Sequence, residues 1–181
     1  MRPDEDLDPG GRGQLDRFND LTTDACVKRL LACCSSLTWA QRVAEERPFA
    51  DPQVLLDRAD DLLVELAETD IDQALAGHPR IGDRPDNASS AREQSGVSGA
   101  DTAVIDELKK YNAAYEDKFG HVYLVFANGR PADELLGILK ERMGNDPATE
   151  RRVLRGELAK INRSRLIRML NTPDVDEGAS A

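Results

Sequence analysis

Helical periodicity runs through almost the whole of this chain and is broken once, by a stretch that cannot share it. Apolar residues recur at intervals of three and four, as in Leu55, Leu62 and Leu66, in Val104, Leu108, Tyr111 and Tyr115, and in Leu135, Ile138 and Leu139. That spacing lines one face of an α-helix. Start signals support it: Thr23 or Asp24 ahead of ACVKRLLACC, Asp51 with Pro52 ahead of QVLLDRADDLLVEL, and Pro131 ahead of ADELLGILKERM. The pattern predicts helices at about 22–35, 37–46, 51–67, 70–76, 90–96, 101–118, 131–143 and 147–170, an all-α bundle in one domain over 17–170. Residues 1–16 and 171–181 are acidic and contain Gly and Pro, and read as flexible tails.

The exception is GHVYLVFANGR at 120–130, a β-branched and aromatic run closed at both ends by glycine, which local rules read as a buried strand. A lone extended segment over about 121–127 has no ladder partner in a helical domain, and buried N–H and C=O groups are not left unpaired cheaply. Those groups are available to a ligand, unless the segment pairs with a second copy or is itself helical.

Charge narrows the partners. Asp and Glu number 34 against 24 Lys and Arg, a formal net charge of −10. Sequence-independent nucleic-acid binding needs the opposite sign, because it works by releasing counterions from phosphates. Nothing approaches the roughly 18 consecutive apolar residues that span a bilayer, and the opening MRPDEDLDPGGRG offers no apolar core for a signal peptide. The C-terminal GASA is not an S-K-L peroxisomal address, so a cytoplasmic location is expected. Cys26, Cys33 and Cys34 suit neither a disulfide framework nor a zinc knuckle and read as packing residues.

The closing helix carries an anomaly. With Leu154 at zero on a helical wheel, Leu158 falls at roughly 40°, Ile161 at roughly 340° and Arg165 at roughly 20°, the middle of the apolar stripe. A guanidinium aimed into a core without a partner costs several kcal/mol, so Arg165 meets a structural carboxylate or an anionic ligand, unless its stem snorkels outward. Arg163 falls on the opposite side and should be solvated.

The two histidines invite different readings. His121 lies on the extended run and reads either as a ligand contact or as packing, with packing favoured. His78 stands between Gly77 and Pro79 in AGHPRIGDRP; the residue before proline leaves helical geometry, and Gly77 suits a left-handed cap. His78 is thus either a surface loop histidine or a proton-handling group, since its ordinary pKa lies near neutrality. Glu93 also has two readings. Ser90 and Glu93 have the S-x-x-E spacing of a capping box, yet a carboxylate near His78 would orient its ring.

In combination, GHPRIG at 77–82, SSAREQSG at 89–96, KFGHVYLVFANGR at 118–130 and AKINRSRLIRML at 159–170 resemble the 2-oxo-4-hydroxy-4-carboxy-5-ureidoimidazoline (OHCU) decarboxylase family. FNDL at 18–21 and WAQRVAEERPFAD at 39–51 extend the likeness over about 17–170. The resemblance implies an all-helical, commonly homodimeric enzyme that uses neither metal nor organic cofactor and produces (S)-allantoin from a small ureidoimidazoline carboxylate. It implies His78, Glu93 and Arg165 as catalytic residues. Pro79, Ser90, Ala91, Arg92, Gln94 and the backbone of Tyr123, Leu124, Val125, Phe126 and Ala127 are the implied substrate contacts. The family's aromatic after the FG pair is His121 here. Two other readings stand beside it: a non-catalytic helical interaction module binding an amphipathic partner helix, and a metallohydrolase using His78, Asp83, Asp86 and Glu93. With two histidines and no H-x-x-x-H or H-x-H pair, the second has little support.

Overall fold

The computed structural model describes residues 11–85 and 87–172. Among them the regular structure is entirely helical: α1 (Gly11–Asp20), α2 (Thr23–Leu31), α3 (Leu37–Glu45), α4 (Pro52–Val64), α5 (Glu68–Leu75), α6 (Ala88–Glu93), α7 (Thr102–Phe119), α8 (Ala132–Arg142) and α9 (Pro147–Asn171), with a 3₁₀ turn at Ser95–Val97. The expected tails 1–16 and 171–181 fall mostly outside the described residues. Where they are described the expectation fails, since Gly11 to Asp16 belong to α1 and Asn171 to α9. Leu15 and Phe18 explain α1, being 2% and 1% exposed; three residues apart, they form one apolar face.

The chain divides into two compact units, residues 1–65 with 162–181, and residues 66–161. In the first, α2 packs on α3, α3 on α4 and α1 on α4. Trp39, fully buried, donates its indole N–H to the Ala59 carbonyl at 3.0 Å. Thr22, Ser36 and Asp51 accept N–H groups at the starts of α2, α3 and α4. The α2 cap therefore lies just before the expected Thr23 or Asp24, and the Asp51 cap is as expected. Cys26, Cys33 and Cys34 are buried free thiols, and burial pushes all three up, Cys33 to about 11.

The C-terminal half of α9 belongs to this unit. Arg165 is 7% exposed and donates to the Cys33 carbonyl at 3.2 Å, so the wheel placed it correctly in the buried stripe. Arg163 departs from expectation: its side chain is only 13% exposed and lies 2.8 Å from Asp60 and 3.2 Å from Asp57. Two α4 carboxylates provide an ionic seam that a single-helix wheel does not contain.

In the second unit α7 packs on α8. Leu108, Tyr115, Leu135 and Leu139 form its core together with Tyr123, Val125 and Ala127 from the run that follows α7. Gly120 ends α7 in a left-handed conformation (φ 76°), and residues 122–127 then run without any helical turn or strand pairing. The glycine-bounded segment is therefore a buried, irregular connection.

Candidate functional site

The loop after α5 carries His78. The N–H groups of Gly77 and His78 bond back to the carbonyls of Ala74 and Leu75, at 3.4 and 3.0 Å, so the helix ends in a tight turn. Gly77 is not left-handed as expected; the positive φ of this loop is at Gly82, 92°. Three side chains pin the loop. Gln94 accepts the Gly82 N–H through Oε1 (3.1 Å) and donates through Nε2 to the Arg80 carbonyl (3.3 Å). Asn112 donates to the Ile81 carbonyl at 2.9 Å. Arg80 forms a two-pronged ion pair with Glu116, one prong at 2.8 Å, and its hydrogen bonds hold the Glu116 carboxyl below the usual range.

The capping-box reading of Ser90 and Glu93 does not hold. Asn87 caps α6, its side chain accepting the Ser90 N–H at 2.8 Å. A better cap lies one turn earlier, which moves Ser90 and Glu93 into the helix, three apart on one buried face (2% and 9% exposed). Ala91 and Arg92 point to the exposed side. Glu93 is held against the turn that ends the extended run: its carbonyl accepts the Gly129 N–H at 3.0 Å. Gly96 makes this approach possible, because a Cβ there would lie 2.2 Å from the Gly129 carbonyl oxygen and 2.3 Å from that of Arg130.

These elements close around one cavity. His78, Pro79 and Ile81 come from the loop, Ser90, Glu93 and Gln94 from α6 and its end, and Tyr123, Leu124, Val125 and Ala127 from the run, with Ile161 of α9. Its interior is about 20 Å³, room for about one water. Two features of the lining have unmet hydrogen-bonding capacity. Ser90 Oγ is buried and has no partner among the described residues. The N–H groups of Tyr123, Leu124, Val125 and Ala127 likewise make no hydrogen bond among the described residues. Phe126 differs: its N–H donates to Glu157 Oε2 at 2.7 Å, so it is not among the open donors.

His78 and Pro79 also border a wider groove of about 810 Å³, whose far side carries Glu116, Asp117 and His121. His121 packs against the rings of Tyr115 and Phe119, centroids 5.5 and 6.1 Å away, as the packing reading expects. Arg165, the remaining expected catalytic residue, belongs to the first unit. Beside it on α9, Asn162 is 2% exposed and its side chain meets the Cys34 thiol. Among the described residues no three His, Cys, Asp or Glu side chains gather to hold a metal ion; Asp86 lies outside them.

Sequence reasoning missed Gln94 as a loop staple, together with Asn112, Arg142, Glu150 and Glu157. Only the apolar-face position of Asn112, four residues after Leu108 and three before Tyr115, was visible as a signal. The buried network lies beneath the run. Arg142 donates to the Leu124 carbonyl at 2.6 Å and, through Nε, to Glu150 at 2.8 Å. Glu150 also accepts from Tyr115 and from Asn145. Burial would raise the Glu150 carboxyl, and these bonds more than reverse it, holding it below the usual range.

The sequence model of OHCU decarboxylase matches residues 19–167. The chain is 30% identical over 147 residues to an Arabidopsis thaliana uric acid degradation bifunctional protein, covering 77% of this chain and 45% of that one. It is 26% identical over 141 residues to the 2-oxo-4-hydroxy-4-carboxy-5-ureidoimidazoline decarboxylase of Amia calva, covering 74% and 81% respectively. The chain thus spans less than half the length of the bifunctional relative. A crystal structure of OHCU decarboxylase in the presence of (S)-allantoin superposes with a TM-score of 0.70 at 27% identity, over 78% of this chain and 96% of that one. With the family match spanning 19–167, this chain belongs to the OHCU decarboxylase family.

Proposed function

We propose that this chain converts OHCU to (S)-allantoin and CO₂, with no metal or organic cofactor, at the cavity lined by His78, Glu93 and the run at 123–127, with Arg165 as a further catalytic residue. The observation that carries this reading is the cavity itself: a histidine, a buried carboxylate and a buried hydroxyl with no partner among the described residues line it, beside a run whose N–H groups at Tyr123, Leu124, Val125 and Ala127 have no partner among the described residues. Such groups are costly to bury unsatisfied, and a ligand rich in carbonyl and N–H groups satisfies them.

The substrate carries a carboxylate and a hydroxyl on one ring carbon, beside a C=N bond. When the bond to the carboxylate breaks and CO₂ departs, its electron pair moves into the ring toward that nitrogen, which takes a proton. The electron sink is built into the substrate, so the chemistry asks the protein for position and proton handling. His78, oriented by Glu93, takes the hydroxyl proton as that oxygen becomes a carbonyl. The neighbouring carbon receives a proton on one face. Arg165 orients an anionic or carbonyl part of the substrate, and the open amides stabilise the delocalised negative charge. Ser90, Gln94 and Pro79 shape the binding surface. A cytoplasmic homodimer accompanies this reading, as the family likeness implies.

The test is circular dichroism during a coupled reaction in which urate oxidase and hydroxyisourate hydrolase generate the substrate and this protein is added in sub-stoichiometric amount. A fast (S)-allantoin signal, unchanged by chelator, is expected; decay at the spontaneous rate to racemic product overturns the assignment. His78→Ala and Arg165→Ala should each lower turnover by about 100-fold or more with helical content intact. A wild-type rate in either variant removes that residue from the mechanism.

A further inference from the structure

We propose that Glu157 and Arg142 are positioning residues that grip the 122–127 run from one side and thereby aim and polarise both peptide groups of Val125 toward the ligand. This deepens the decarboxylase reading and rests on it. The run has no helical turn and no strand partner, so nothing in its own secondary structure holds it. Two charged groups do. Arg142 Nη1 donates to the Leu124 carbonyl at 2.6 Å, and Glu157 Oε2 accepts the Phe126 N–H at 2.7 Å.

Both anchors are themselves fixed. Arg142 is 6% exposed, bound to the fully buried Glu150, with its guanidinium 4.9 Å from the Tyr123 ring centroid. Glu157 is 14% exposed and its second oxygen holds Lys160 at 2.7 Å. Buried ion pairs contribute little to stability on balance, so a geometric role is the better explanation of this arrangement.

The consequence follows from the planar trans peptide, in which C=O and N–H point in opposite directions. The Leu124 carbonyl and the Val125 N–H belong to one peptide group. With Arg142 on the oxygen, the Val125 N–H points away from α8 and is a stronger donor, because hydrogen-bonded groups polarise one another. The Val125 carbonyl and the Phe126 N–H belong to the next peptide group. With Glu157 on the N–H, the Val125 carbonyl points away from α9 and is a stronger acceptor. Val125 lines the cavity, and neither of its backbone groups has a partner among the described residues. One residue thus presents a donor and an acceptor side by side, the complement of an amide, lactam or ureido edge, where a carbonyl and an N–H are adjacent.

Glu157 provides the test, being on the rim of the network. Glu157→Gln keeps the reach and an acceptor oxygen and should retain kcat/KM within about threefold. Glu157→Ala and Glu157→Asp lose the contact and should lower kcat/KM by about 10- to 100-fold, the scale of an ångström-sized misplacement. Equal activity in all three variants, or Asp outperforming Gln, overturns the clamp. A readout independent of turnover comes from amide hydrogen exchange of the wild-type protein by NMR: the Phe126 N–H, held by Glu157, should exchange about tenfold or more slowly than the Val125 N–H, and (S)-allantoin should shift and protect the Val125 amide. A Phe126 amide that exchanges as fast as that of Val125 in the free protein overturns the anchor even if a variant fails to fold. A wild-type protein with no decarboxylase activity overturns the functional reading instead, and leaves the Phe126 exchange rate to decide the clamp.

Discussion

Ser90 buries a hydroxyl that no described group donates to or accepts from. Leaving such a group unsatisfied costs about 1–3 kcal/mol, a cost that a bound ligand would remove. Ser90→Ala should therefore leave the free protein as stable as the parent or slightly more so in urea denaturation, while kcat/KM falls. A variant that loses stability and keeps full activity would falsify the ligand-facing role of this hydroxyl. The cysteines raise no such question, since burial keeps their thiols protonated at neutral pH.

The short helix α6 does most to assemble the cavity. Six residues are too few for a helix to persist alone, so α6 depends on its Asn87 cap, on the Gln94 staple to the His78 loop, and on the contact of Glu93 with Gly129. Gly96 is its tightest point, because any side chain there meets backbone at 2.2–2.6 Å and backbone cannot swing aside. Gly96→Ala should push the 127–130 turn away from Glu93, lowering stability by about 1–3 kcal/mol, as overpacking does, and activity by a larger factor. Asn87→Ala should cost about 1 kcal/mol. Thermal denaturation with parallel kinetics separates the two: parental kcat/KM in the Gly96→Ala variant shows that the turn does not position Glu93.

Over the whole molecule, electrostatics favour neutral pH. Hydrogen bonds from Arg58, Arg155 and Arg80 hold Glu46, Glu68 and Glu116 below the usual range, and the network around Arg142 does the same for Glu150 against its burial. A depressed folded-state pKa means that the unfolded chain binds the proton first. The stability these groups contribute is therefore present above the ordinary glutamate value of about 4.3 and is lost as pH falls through the lower folded values. Asp60, raised by burial despite Arg163, acts in the opposite sense. Urea midpoints should be flat from about pH 7 to 5 and drop below about pH 4, with a shallower drop for Glu150→Gln; an identical acid profile for that variant removes Glu150 from the account. The sequence by itself determined what depends on neighbours along the chain. Leu154, Leu158 and Ile161 share a face with Arg165 because about 3.6 residues make a turn, and the run VYLVF cannot be read as an amphipathic helix. Tertiary structure decided what depends on groups far apart in sequence: which residue caps α6, that Arg163 meets α4 carboxylates, and that Glu157 takes the Phe126 amide 31 residues away. Periodicity is a property of one element, whereas the partner of a buried polar group is chosen by whichever elements pack against it.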